Sequence, residues 1–115
     1  MITAAKFRRI ARAFPHALEK PHFDRAAFRV DVPKGKNFCT LAGDASNATV
    51  FLTPEEQAML TAAEPGIFAK LPNKWGDKGA TAVDLRACDE ATLKSALVMS
   101  WRHAAPPKYH DELTV

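Results

Sequence analysis

The sequence predicts an α+β domain with a meandering antiparallel sheet flanked by N- and C-terminal helices. Three observations predict it. One apolar stripe at helical spacing opens the chain and another closes it. Between them run short alternating segments separated by turns containing Gly, Pro and Asn. At 115 residues the chain suffices for one core and leaves no room for a second. We place the domain at 1–107 and read 108–115 as a loosely held C-terminal tail.

Each element has its own signal. Phe7, Ile10, Ala11 and Phe14 share one helical face, Thr3 is the N-cap, and Pro15 ends the helix because the residue before a proline avoids the α region. Ala17 to Asp24, interrupted by Pro21, reads as an edge strand or an extended loop. Ala27 to Val32 alternates, with Phe28, Val30 and Val32 on one face and Arg29 and Asp31 on the other. Pro33-Lys34-Gly35 turns the chain into a strand from Phe38 to Ala42, and Gly43 to Asn47 turns it again into a strand from Ala48 to Leu52. Thr53-Pro54-Glu55-Glu56 is a capping box with proline at the first helical position, so a helix runs from there to about Ala63. Ile67 to Leu71 is a short strand, Pro72 to Gly79 a loop around Trp75, and Thr81 to Leu85 a further strand. Asp89 caps the last helix, whose buried stripe is Leu93, Ala96, Leu97, Ser100, Trp101 and Ala104; Pro106 and Pro107 end it.

Apolar residues make up 47% and charged residues 25%, a globular composition. No apolar run approaches the roughly 18 residues of a spanning helix, and the N-terminus lacks the apolar core of a secretory signal, so no membrane partner is expected. The two cysteines, Cys39 and Cys88, form no C-x-x-C pair, and Cys39 lies in an apolar run. This usage suits a reducing compartment, so the expected location is cytoplasmic. The formal charge of +3 is unevenly spread. Residues 1–40 hold nine Lys/Arg against three acids, whereas residues 41–115 hold seven against ten.

The motifs for several chemistries are missing. His16, His22, His103 and His110 show neither H-x-x-x-H nor H-E-x-x-H spacing. Ser46, Ser95 and Ser100 lie in no G-x-S-x-G. Gly76-Asp77-Lys78-Gly79 lacks the G-K-[ST] of a phosphate loop. The remaining pattern is basic. Arg8, Arg9 and Arg12 project from the exposed face of the first helix, Lys20, Arg25, Arg29, Lys34 and Lys36 follow on nearby elements, and Lys70, Lys74 and Lys78 surround Trp75. Such side chains neutralise phosphates, and His22, Phe23 and Trp75 offer stacking surfaces where exposed.

Several segments in this order resemble the MmcQ/YjbR-like family. They are Phe14-Pro15 with Glu19-Lys20-Pro21-His22-Phe23, then Ala27-Phe28-Arg29-Val30 and Lys36-Asn37-Phe38-Cys39-Thr40-Leu41. Leu52-Thr53-Pro54-Glu55-Glu56-Gln57, Trp75-Gly76-Asp77-Lys78-Gly79 with Val83-Asp84-Leu85, and Ser100-Trp101-Arg102 before Ala105-Pro106 complete the set. The resemblance implies a CyaY-like (frataxin-like) fold and a DNA-binding role through a double-wing arrangement. It brings no catalytic residues. This sequence departs at Ala80, where relatives usually place a second Trp. The iron handling of frataxins ranks low, because the first helix carries Lys6, Arg8, Arg9 and Arg12 and no acid.

The leading expectation is a monomeric, non-enzymatic module without cofactor that binds DNA phosphates through Arg8, Arg9, Arg12, Lys20, Arg25, Lys74 and Lys78. The alternative is a protein- or small-ligand-binding domain using the Glu19 to Phe23 segment and the Trp75 loop, with His22, Phe23 and Trp75 as its contacts. An enzyme is a third reading, for which a buried His22–carboxylate or Cys39–His contact would speak.

Overall fold

A computed structural model describes residues 1–113. Helix α1 spans Ala4–Arg12, and the Thr3 hydroxyl accepts the Lys6 N–H as its N-cap at 3.1 Å. Four strands follow as an antiparallel meander: β1 (Ala17–His22), β2 (Arg25–Val30), β3 (Asn37–Ala42) and β4 (Asn47–Phe51). Helix α2 (Pro54–Ala63), strand β5 (Phe68–Lys70) and helix α3 (Lys74–Asp77) then leave the sheet's sequential order. Strand β6 (Ala80–Asp84) returns antiparallel to β4, with β5 outside it, so the six strands run β1-β2-β3-β4-β6-β5. Helix α4 (Glu90–Ala104) closes the fold, capped by Asp89 accepting the Thr92 N–H at 2.7 Å.

Alternation along the strands sorts the two faces of the sheet. Phe28, Val30, Cys39, Leu41, Ala48, Val50 and Val83 point to one side, where they form a single core with Phe7 and Ile10 of α1 and Leu93, Leu97 and Trp101 of α4. Phe7 meets Phe28 edge-on, with ring centroids 5.6 Å apart. The opposite face is polar and small-residued: Lys20, Ala27, Thr40, Thr49, Ala82 and Ala69 stand in one row across the strands. Ser100 joins the two layers. Its hydroxyl donates to the Phe38 carbonyl and accepts the Phe51 N–H, at the end where β3 and β4 stop pairing.

Three expectations need correcting. The Pro72 to Gly79 loop contains the helical turn α3, because the Asn73 side chain accepts the Gly76 N–H as an N-cap. The expected strand from Ala27 to Val32 starts at Arg25 and stops at Val30. Beyond it the Asp31 N–H donates to the His16 carbonyl, leaving Val32 in the following turn. The segment expected to be loosely held forms a 3-10 helix over Pro107–Glu112. Tyr109 stacks edge-on against His16, His110 Nε2 lies 2.8 Å from the Ala105 carbonyl, and His16 meets Glu112 at 2.8 Å. Thr114 and Val115 of that tail lie outside the described residues.

Candidate functional site

The arginines of α1 form surface ion pairs within the molecule. Glu19, on the helix-facing side of edge strand β1, takes Arg8 Nε at 3.1 Å and an Arg12 terminal nitrogen at 2.6 Å. Glu90, in the first turn of α4, takes Arg9 at 3.1 Å and Lys6 at 4.0 Å. One helix face of four cations therefore meets two carboxylates, which lowers its potential toward a polyanion. Arg25 is committed as well. Its guanidinium lies across the polar face of the sheet and donates to Thr40, Asn47 and Thr49. Lys20 stands exposed on β1.

His22 ends β1 and Phe23 begins the turn to β2, where their rings meet at 5.0 Å. Phe23 is 94% exposed and holds a φ of 59°, the left-handed region where glycine is the usual occupant. Trp75 lies elsewhere. The register puts His22, Arg25, Ala42, Asn47 and Asp84 at one end of the sheet, whereas Trp75 sits beside Ala80 at the other. The structure thus separates His22 and Phe23 from Trp75.

At the Trp75 end lies a cleft of about 380 Å³. Its floor is Phe51, Leu52 and Ala80, and α4 contributes Ser100, His103 and Ala104. Lys36 and Asn37 at the start of β3 form one lip, and Trp75 and Lys78 the other. Trp75 is 65% exposed, with Lys78 Nζ 5.4 Å from its ring centroid. Across the rim, His103 Nε2 meets Glu56 Oε1 at 2.7 Å. Burial raises the Glu56 carboxyl, but the Thr53 N–H and His103 outweigh it and hold the group below the ordinary carboxylate range.

The turn that presents Trp75 is built rigidly. Gln57 of α2 is buried, and its amide nitrogen donates to the Gly76 and Ala80 carbonyls and the Thr81 hydroxyl at 3.0, 3.0 and 3.1 Å. A Cβ on Gly76 would overlap the Leu71 carbonyl, and one on Gly79, at φ 118°, the Leu52 carbonyl. The glycines flanking Asp77-Lys78 let the backbone pack this closely. The sequence singles out Trp75 and Lys78, places Lys36 among the basic residues near the first helix, and marks His103 only by its lack of metal-ligand spacing; it assigns Gln57 no role. The signal for Gln57 was present: a polar residue one turn past a capping box, on the side of α2 that turns inward.

Other reactive groups are muted. Burial pushes the Cys39 thiol well above its ordinary value, and burial with the nearby Asp89 pushes Cys88 up to about 11. Raised pKa values keep both as thiols, the opposite of an activated nucleophile. Among the described residues, no group of three or more His, Cys, Asp or Glu could hold a metal ion, and no helix is long and apolar enough to cross a membrane.

A family model described as YjbR matches residues 12–103. The chain belongs to the YjbR family. The cleft residues from Lys36 to His103 all fall inside the matched span of this YjbR-family domain. The crystal structure of the Deinococcus radiodurans protein DR2400, with a domain described as DUF419, is similar at a TM-score of 0.74. The similarity covers 97% of this chain and 88% of that one, at 21% identity. At that identity the likeness shows a shared fold. No curated protein matches the chain.

Proposed function

We propose that this YjbR-family domain is a non-enzymatic nucleic-acid-binding module. In this reading it contacts phosphates with the lysines around the Trp75 cleft, and the arginines of α1 play little part. One observation carries the reading. Lys36 and Lys78 line the cleft with an exposed Trp75, Lys74 precedes that tryptophan in α3, and none of the three enters an ion pair among the described residues. A free ammonium can exchange its counterions for a phosphate, whereas Arg8, Arg9 and Arg12 must first give up Glu19 or Glu90. The muted thiols and the Ser100 hydroxyl bound between two backbone groups support a binding role over catalysis.

Fluorescence anisotropy with short labelled single strands and duplexes at low salt tests the proposal. The Lys36/Lys74/Lys78→Ala triple variant should weaken binding and flatten the dependence of log K on log salt by about 2, from about 0.7 per lost contact to a single strand. The Arg8/Arg9/Arg12→Ala variant should bind nearly as the native chain does. Absence of binding to either nucleic acid, or loss confined to the arginine variant, would overturn it.

Recognition of a protein or a small ligand is the second reading, favoured by the concavity of the cleft itself. His22 and Phe23 would then form a separate contact at the far end of the sheet.

A further inference from the structure

We infer that the cleft beside Trp75 holds a single nucleobase swung out of its strand, so that the domain prefers unpaired to paired nucleic acid. The inference rests on the nucleic-acid reading and names what enters the site. A volume of about 380 Å³ lies at the small end of the range for small-molecule sites and suits one flat ring system with its sugar. Phe51, Ala80 and Ala104 give the cleft an apolar lining, and the exposed Trp75 stands at its mouth, where the flexible Lys78 side chain now over its ring would swing aside for a stacking base.

Charge complements shape. Lys36 stands on one lip and Lys78 on the other, so the phosphates flanking an inserted base would pass between two cations free of carboxylate partners among the described residues. The lining residues include no carboxylate; Glu56, joined to the cleft through His103, is engaged by the Thr53 N–H and His103, and Asp77 of the Trp75 turn pairs with Lys70. A base inside a duplex has both faces stacked and its edge paired. It reaches the cleft only by leaving the helix, a cost that a single strand or a bulge largely avoids. The cleft wall offers no buried side-chain donor left unpaired among the described residues, so binding by stacking should tolerate any base.

The test compares a short single strand, the same strand in a perfect duplex, and that duplex with one bulged nucleotide. Each carries 2-aminopurine at its centre, and each is titrated with the native chain, Trp75→Ala and Trp75→Phe. Because Trp75 is largely exposed, both variants should keep the native circular dichroism and melting temperature. The single strand and the bulge should bind at least about tenfold tighter than the perfect duplex, with a change in 2-aminopurine emission. Trp75→Ala should lose about ten- to hundredfold on those two ligands and most of the preference, while Trp75→Phe retains most of both. Equal binding of all three ligands, unaffected by Trp75→Ala, overturns the inference and leaves the nucleic-acid reading standing. Binding of none of them overturns that reading itself.

Discussion

Gln57→Leu is the perturbation that best probes how the cleft is made. The two amide protons of Gln57 serve three acceptors: the Gly76 and Ala80 carbonyls and the Thr81 hydroxyl. None is orphaned when the amide goes. The Gly76 carbonyl also accepts the Gly79 N–H, the Ala80 carbonyl accepts the Leu71 N–H, and the Thr81 hydroxyl donates to the Gly79 carbonyl. The penalty of a fully unsatisfied buried acceptor therefore does not apply. What is lost is the net worth of two buried hydrogen bonds, about 1 kcal/mol each. Leucine has nearly the volume of glutamine, so the cavity contribution is small.

The expected loss is thus about 2 kcal/mol. That corresponds to a fall of roughly 8 °C in Tm for a domain of this size, or about 1 M in the urea midpoint at an unchanged m-value. Gln57→Glu should cost more, because it turns a carboxylate toward two carbonyl oxygens. Urea unfolding followed by circular dichroism measures both variants. A change below about 0.5 kcal/mol in Gln57→Leu would refute the reasoning, since Gly76 and Gly79 alone would then be holding the Trp75 turn.

Two further outcomes follow from the charge arrangement. Glu19→Gln frees Arg8 and Arg12, but the pairs are at least partly solvated, so stability should change by less than about 1 kcal/mol. Oligonucleotide affinity should stay within about threefold if the interface is the Trp75 cleft; a rise beyond about tenfold by anisotropy would relocate the interface to α1. The Glu56 carboxyl is held below its ordinary value of 4.5, so its stabilisation is complete above that pH and disappears as pH falls through the lower folded-state value. Melting curves of the native chain and Glu56→Gln should therefore differ near neutrality and converge in acid; a gap that persists unchanged would assign the effect to packing.

What the sequence made legible and what it hid divide along a physical line. The capping box of α2, the Thr3 and Asp89 caps, the stripe of α4 and the turn at Pro33 are local, carried by residues within a few positions of each other, and each is found where its pattern predicts. Local patterning also makes Trp75 and Lys78 neighbours, because only Gly76 and Asp77 lie between them in the chain. Charge balance is not local. The partner of Arg12 is seven residues away on an edge strand, and that of Arg9 is eighty-one residues away on the last helix. A one-dimensional count of cations groups the arginines of α1 with Lys20, Arg25, Lys74 and Lys78 without distinguishing them, because pairing across elements leaves no mark on spacing or composition. The same holds for the cleft, whose walls come from β3, β4, the α3 turn and α4 and meet only once the sheet is folded. The cations available to a ligand are those the fold leaves without a carboxylate. Within the expected set that favours Lys74 and Lys78, joined by Lys36 across the cleft, because they alone also stand beside an exposed tryptophan.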